Sequence, residues 1–532
     1  MSNWNSTLTI EKALYRPGTC LAGPPDAVEV VVEMMYPPRW REILILPLSE
    51  LSTSHLTAQV PWLQFAGEGK PNSLGRELMT QLREGLGDGS IPKAFLFDQM
   101  GVQILPSGRP CFLRGSKMIG DVGREFEVAP SLQHIWLKEA SLSASQVGYV
   151  IRNTSWRALI AILFTLLSSI RSLILGAGID LQAVLFIFGK QGTGKTTLAK
   201  RTGATHRTAD GSDYAMVQAG STPASIHDIM IEARDCSLIV DDLCKSASQK
   251  EVQRRLDLVC ELIRLAGNDS PITKKHGKTT VARFCQAGMV FTGEFIPQNR
   301  SDVTRCIPIH LQNTISLSDD LTPGVVGDAV VILSNWLTMH CDEFTAKMKN
   351  AVGTSFLDLE DRLRTSYACL NTVADEFVCA LQASGVASAT CISIRRKAEK
   401  AIRKTIGEHL QLLEKLDAHE KVGNLPYIIL QGIKQGAFGD ESKPKKLGKK
   451  VPAVITDTYL DVIPDTLEQF VRAQPGYENY TKWKISRDLK QIGALVIHGN
   501  GEHSENTIRP RPDGPKVYRI ILEVLKDEQE IY

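Results

Sequence analysis

The run Gly189-Lys190-Gln191-Gly192-Thr193-Gly194-Lys195-Thr196 fulfils the spacing G-x-x-x-x-G-K-[ST] at every fixed position. Glycines at these places let successive backbone N–H groups turn inward around phosphate oxygens. Lys195 brings a positive charge to the β- and γ-phosphates, and the Thr196 hydroxyl can ligate Mg²⁺. Thr197 completes the stretch expected to touch nucleotide. Such a site also needs a carboxylate for the metal, and Ser237-Leu-Ile-Val-Asp241-Asp242 offers two at the end of an apolar run, 46 residues after Lys195. Asp241 is placed to reach Mg²⁺ directly or through water, and Asp242 to polarise the attacking water. Paired acids at a strand end also serve as helix caps, but beside a P-loop the catalytic role is the stronger reading. Where many ATPases carry Glu in the second position, Asp242 is shorter and must reach further or act through water. Thr292, in Phe291-Thr-Gly-Glu294, is the polar strand-end group expected between the carboxylates and the γ-phosphate. Arg305 precedes another apolar run, where it could stabilise charge on a transferring phosphoryl group or make a structural ion pair.

These groups require a sheet to hold them. Ala183–Phe188 runs straight into the glycine loop, and a helical pattern leaves it at Lys195. Further apolar runs occur at Leu238–Val240, Met289–Phe291 and Ile307–Leu311. Short apolar runs without alternation suit strands buried on both faces, and helical segments between them indicate a parallel sheet. Before this region, Trp156–Leu175 has helical spacing. After it, Val325–Lys349, Phe356–Ala383 and Lys397–Ala418 repeat apolar residues every three or four positions.

With 532 residues the chain is too long for one core, and its 43% hydrophobic and 23% charged residues are an ordinary globular balance. A net charge of +2 assigns no partner, so any nucleic-acid surface must come from local clustering. The 11 cysteines are scattered, none closer than Cys236 and Cys244, which excludes a C-x₂-C zinc ribbon and suits free thiols in a reducing cytosol. The N-terminus lacks a signal-peptide pattern, and the apolar run Ala158–Ile170 is too short to span a bilayer. A cytoplasmic protein without membrane contact is expected.

The order P-loop, Asp-Asp strand, polar strand end and Arg before a strand resembles the AAA+ ATPases. Within them the chain looks most like the superfamily-3 and MCM-like replicative helicases of viruses, plasmids and mobile elements. The segment that carries this likeness follows a helix at Glu251–Ala266. In Asn268-Asp-Ser-Pro-Ile-Thr-Lys274-Lys275-His276-Gly277-Lys278-Thr-Thr-Val-Ala-Arg283, two β-prone arms flank a basic tip and read as a hairpin. In those helicases a hairpin at this place contacts the DNA backbone in the channel of a hexamer, and a Lys-His pair at the tip matches Lys275-His276. The resemblance thus implies DNA contact by Lys274, Lys275, His276 and Lys278. It also implies ATP and Mg²⁺ as cofactors, and an arginine finger at Arg305 reaching the neighbouring subunit's nucleotide. A second arginine of the helical lid would be Arg362 or Arg364. The likeness covers residues 146–400.

The expected α/β architecture is therefore an AAA+ P-loop core with parallel sheet at 146–322 and a helical lid at 323–440. A small mixed α/β domain (1–145) precedes it, and a basic linker (441–455) and a winged-helix-like domain (456–532) follow. In that last domain Lys482, Lys484, Arg487 and Lys490 lie on or beside the second helix, and Arg509 and Arg511 in the wing. They would hold duplex phosphates, unless the domain is a protein-binding or lid-like module. An ATP-driven, hexameric DNA helicase or translocase in the replication of a mobile element or phage is the expectation. The rivals are a nucleic-acid-binding ATPase switch such as a loader or element regulator, and a signalling or defence ATPase that recruits a partner through residues 1–145.

Overall fold

The computed structural model describes residues 6–17, 19, 21–34, 40–60, 74–243, 249–267, 271–276, 279–297, 299–422, 425–438, 453–475, 477–491, 493–497, 506–509 and 515–525. Contacts divide the chain into two compact units, Met1–His409 and Leu410–Tyr532.

In the first unit, alternating apolar residues build an N-terminal sheet of five strands, in the order Trp40–Pro47, Ala27–Met34, Ser6–Tyr15, Lys93–Phe97, Phe126–Val128. One face buries Ile10, Val28, Val30, Val32 and Leu46 under Leu78 and Leu82 of the helix Leu74–Asp88. The strand Ser6–Tyr15 was not expected, because Thr, Glu and Lys punctuate its apolar positions. A three-stranded sheet (Gly101–Ile104, Pro110–Arg114, Lys117–Ile119) follows. Its Arg114 is fully buried and donates to the Asp235 carbonyl (3.3 Å) and to Ser334 Oγ (3.0 Å). This pins the N-terminal region to the turn before the Asp-Asp strand.

The second sheet of this unit positions the chemistry. Its five strands are all parallel, in the order Met216–Gln218, Ser237–Leu243, Gly288–Gly293, Val184–Gly189, Cys306–Leu311. The four apolar runs of the sequence are its three inner strands and the edge strand Cys306–Leu311, buried almost throughout. Met216–Gln218 is too short and too exposed to show in the sequence. Each strand's carboxyl end opens on the same edge, where loops can converge on a ligand.

The expected helix Trp156–Leu175 breaks in two at Ser169-Ile170, giving Trp156–Ser168 and Arg171–Gly176. The first is capped by Ser155, which accepts from Ala158 N, and is buried on all sides. Pro323–Thr354, Asp361–Ala383 and Ser388–Val422 form the helical region. By length and composition Pro323–Thr354 could cross a membrane, but half of its most apolar window is buried inside the protein. It bends at His340 (φ −119°), whose ring stacks on Trp336 at 3.6 Å.

The second unit has its own core. The helices Leu425–Lys434, Pro464–Arg472 and Lys482–Gln491 contribute to it with a three-stranded antiparallel sheet, Ala453–Ile455, Tyr459–Val462 and Tyr518–Ile521. Two differences from the sequence reading follow. Leu425–Phe438, grouped there with the lid, belong to this core, because Leu425, Ile428, Ile429 and Phe438 bury their side chains in it. Ala453–Ile455, placed in the linker, is a strand. The basic run 443–450 lies outside the described residues.

Candidate active site

The strand Val184–Gly189 delivers the chain to the glycine loop, and the helix Lys195–Gly203 starts immediately after it. Gly194 caps that helix at φ +89°, and a Cβ there would also lie 2.9 Å from Ile315 Cγ2. Any other residue would be strained and would push the loop open. The segment 311–316 braces the loop: Ile315 N donates to the Thr193 carbonyl (3.0 Å) and Thr314 Oγ1 to the Gly192 carbonyl (3.4 Å). Thr193 is buried, with its hydroxyl on the Lys190 carbonyl (2.8 Å). Lys195 Nζ folds back onto the carbonyls of Gly189 (3.0 Å) and Lys190 (2.9 Å), so its charge sits inside the loop. Lys190, Gln191 and Thr197 face solvent.

Two strands away in the sheet order, the Asp-Asp pair sits in a bulge. Val240 is level with Phe291 and Leu243 with Gly293, so Asp241 and Asp242 together face the single residue Thr292. Asp242 takes φ +71°, a strained conformation that Asp tolerates better than most residues. A bulge re-aims side chains, and here it separates two adjacent acids. Asp241 is 6% exposed, and its Oδ1 accepts from Thr196 Oγ1 (2.9 Å) and from Thr292 Oγ1. Asp242 is exposed, while its backbone N–H donates to Thr292 Oγ1 (3.1 Å). Thr292, 1% exposed, thus ties both acids.

The donor set suits a hard divalent cation. Thr196 Oγ1 and Asp241 Oδ1 are oxygen donors 2.9 Å apart, and Mg²⁺ is usually held by one or two protein oxygens with water and phosphate. Among the described residues no cluster of three or more His, Cys, Asp or Glu could form a protein-only cage. Next to the loop, Ser155, Arg157 and residues 311–316 line a cavity of about 250 Å³. Arg157 Nε donates to the His310 carbonyl (2.9 Å), just before the lining segment. These residues were missed in the sequence, where nothing joins a helix cap to a segment more than 150 positions later.

Arg305 lies at the opposite edge of the sheet. It precedes Cys306, which is level with Val184 at the start of the P-loop strand, whereas Leu311 is level with Gly189 at its end. Its side chain is buried, at 6% exposed, bonded to the Ser301 carbonyl and to Ser301 Oγ (2.9 Å), and packed against Gly267. Burial, and then the charge of Arg362, push its pKa down. Arg362 is exposed close by, and Arg364 is ion-paired with Asp361 at 2.7 Å.

The strands Ile272–His276 and Thr279–Arg283 pair antiparallel, with His276 level with Thr279. They form a hairpin whose backbone carries Lys274, Lys275 and His276 towards its turn. Lys278 lies outside the described residues, as does Arg511. Arg509 is exposed.

No protein-family model matches the sequence, and neither does any curated protein. Among solved structures, the SCCmec type IV Cch helicase superposes with a TM-score of 0.51 at 15% identity, over 98% of this chain and 94% of its own. The JCV helicase aligns at 13% identity over 37% of this chain and 64% of its own, and its TM-score of 0.21 is too low to bear on the fold. The chain therefore shares the fold of the SCCmec type IV Cch helicase along nearly its whole length, and its parallel sheet within a mixed α/β fold agrees with the α/β class expected from the sequence.

Proposed function

We propose that this protein is an ATP-dependent DNA helicase or translocase of the AAA+ class, working as a hexameric ring in the replication of a mobile element or phage. One observation carries the proposal. Thr196, Asp241 and Thr292, from three separate segments of the sequence, share one buried carboxylate at the carboxyl edge of a parallel sheet, beside a braced P-loop. That is the arrangement hydrolysis of a nucleoside triphosphate requires. The P-loop amides and Lys195 hold the phosphates. Thr196 and Asp241 hold Mg²⁺, which neutralises charge on the phosphoryl oxygens when bound. Asp242, turned to the open side of the bulge, takes the proton of the attacking water directly or through a second water. The cavity lined by Arg157 and residues 311–316 accommodates the base and ribose.

Helicase rather than switch is supported by the hairpin, which lies between the Asp-Asp strand and the Thr292 strand and so connects hydrolysis to a basic tip. The whole-length likeness in fold to a protein described as an active helicase adds to this. Strand displacement on a forked DNA tests the proposal. Wild type should release the labelled strand with ATP and Mg²⁺, and Lys195→Ala should release none. ATP turnover without any displacement would favour a loader or regulator.

A further inference from the structure

The helix Lys482–Gln491 has a sharply divided surface. Ile485 and Leu489 are fully buried and Ser486 nearly so, while Trp483, Arg487 and Lys490 form an outward stripe at i, i+4 and i+7. Trp483 is 67% exposed. A large indole left in water on a well-anchored helix gives up burial energy that a core position would have gained. The anchoring is firm: Tyr518 Oη donates to the Lys482 carbonyl (3.1 Å), and Asn506 Nδ2 to Ser486 Oγ (3.3 Å). The Arg487 guanidinium lies 5.2 Å from the Trp483 ring and is held there by Asp488, which accepts from its Nε (3.1 Å) and Nη2 (2.9 Å). One turn earlier, Lys484 Nζ lies 3.9 Å from the Tyr480 ring. Four cations (Lys482, Lys484, Arg487, Lys490) stand against one acid on the helix (Asp488), and Lys482 is ion-paired with Asp465 of the helix Pro464–Arg472, which leaves a surplus of two positive charges.

We propose that this face binds an unpaired nucleic-acid strand, with a base stacked on Trp483 and the flanking phosphates held by Arg487, Lys490 and Lys484. Charge complementarity selects a polyanion. The exposed ring selects an unpaired strand over a duplex, because duplex bases already stack on each other and offer a surface indole only sugar and phosphate. A base on Trp483 is sequence-tolerant, since every base has a π-face. The inference rests on the proposed function for the class of partner, but not on the hairpin or on hydrolysis.

The full-length protein, without nucleotide, is titrated into a labelled oligothymidine of about 20 nucleotides and, separately, into a duplex of that length. Both titrations are repeated in a Lys275→Ala/His276→Ala background, where the hairpin no longer contributes. Trp483→Ala should weaken single-strand binding about ten-fold with an unchanged salt slope, because no cation is removed. Trp483→Phe should retain most of the affinity. Arg487→Gln/Lys490→Gln should flatten the salt slope. Duplex affinity and DNA-independent ATPase should be unaffected by Trp483→Ala. Wild-type single-strand affinity in Trp483→Ala overturns the proposal, as does an equal loss on the duplex, which would mean groove docking. A change in assembly mass by light scattering, with DNA affinity intact, also overturns it and makes the face a protein contact. A hairpin variant that still unwinds would remove the helicase mechanism while leaving the Trp483 result standing.

Discussion

Asp241 accepts two threonine hydroxyls on one oxygen, and the three residues come from one helix and two strands, so each has a distinct expected phenotype. Asp241→Asn keeps the shape but removes the charge that the cation needs. Mg²⁺-dependent turnover should fall by about 10²-fold or more, while nucleotide binding measured with a fluorescent analogue changes little. Asp242→Asn is a clean test of the second acid, because Asn tolerates φ +71° as well as Asp does. Binding should be retained and hydrolysis slowed. Wild-type turnover in Asp242→Asn would assign the residue to bulge geometry alone. Thr292→Val leaves the Asp242 N–H without its hydroxyl acceptor, which should cost about 1–3 kcal/mol in denaturant unfolding as well as activity. The sequence displayed Lys195, Thr196 and the acid pair in contiguous motifs, and Thr292 as the polar end of the next apolar run. It did not display the bulge that turns one acid in and the other out. That feature depends on which residues of a distant strand lie opposite.

Strands buried on both faces were legible as apolar runs, and the hairpin as two β-prone arms around a basic turn. The strand Ser6–Tyr15 and the helix Leu425–Lys434 were not placed. Their partners are set by packing against residues far along the chain rather than by local pattern. The hairpin is the element most directly testable. Lys275→Ala/His276→Ala should lower DNA affinity and its salt sensitivity, since fewer counterions are released. DNA-independent ATPase should survive while unwinding and DNA stimulation are lost; a double variant that unwinds at the wild-type rate would falsify the coupling role. A second test concerns the junction of the helical region with the sheet. Tyr367 Oη lies 2.9 Å from His409 Nδ1, and His409 Nε2 lies 3.0 Å from the Val303 carbonyl. A carbonyl only accepts, so Nε2 carries a proton; in the neutral ring, which burial favours, Nδ1 then accepts from Tyr367 Oη. Burial pushes the His409 pKa down from 6.5 to about 4. Between those values the unfolded chain binds a proton that the folded one refuses, so stability must fall as pH drops through that window. His206, buried and pushed down to about 3, acts in the same direction. Urea midpoints should decline from pH 7 to 5, and His409→Gln should decline less steeply. Parallel slopes would mean that the His409 imidazole takes up its proton as readily in the folded protein as in the unfolded chain.

At the scale of the whole molecule, the position of the arginines bears on assembly. Arg305 is separated from the P-loop of its own subunit by the length of a strand, about 20 Å for six residues. It cannot assist its own nucleotide, so in the proposed ring a catalytic arginine at this edge would act across a subunit boundary. Its side chain is moreover buried and bonded to Ser301, which makes Arg305→Ala first of all a stability change: a lowered melting temperature is expected alongside lost activity. Arg362 is the better probe, being exposed on the same edge and near enough to depress the Arg305 pKa. Arg362→Ala should fold normally, bind nucleotide and fail to hydrolyse it. Lys195→Ala should be inactive for the opposite reason, with intact arginines and a broken P-loop. Mixing the two then creates interfaces in which an intact P-loop faces an intact arginine. In a ring with random placement such interfaces are most numerous near equal proportions, so ATPase activity should rise from nothing to a maximum there and fall again on either side. Exchange of subunits is verified first, by mixing differently labelled proteins and following energy transfer between the labels. If exchange occurs and the mixtures stay inactive at every ratio, Arg362 does not reach a neighbour's nucleotide. The site would then have to be completed within one subunit, by a cation other than those at this edge of the sheet.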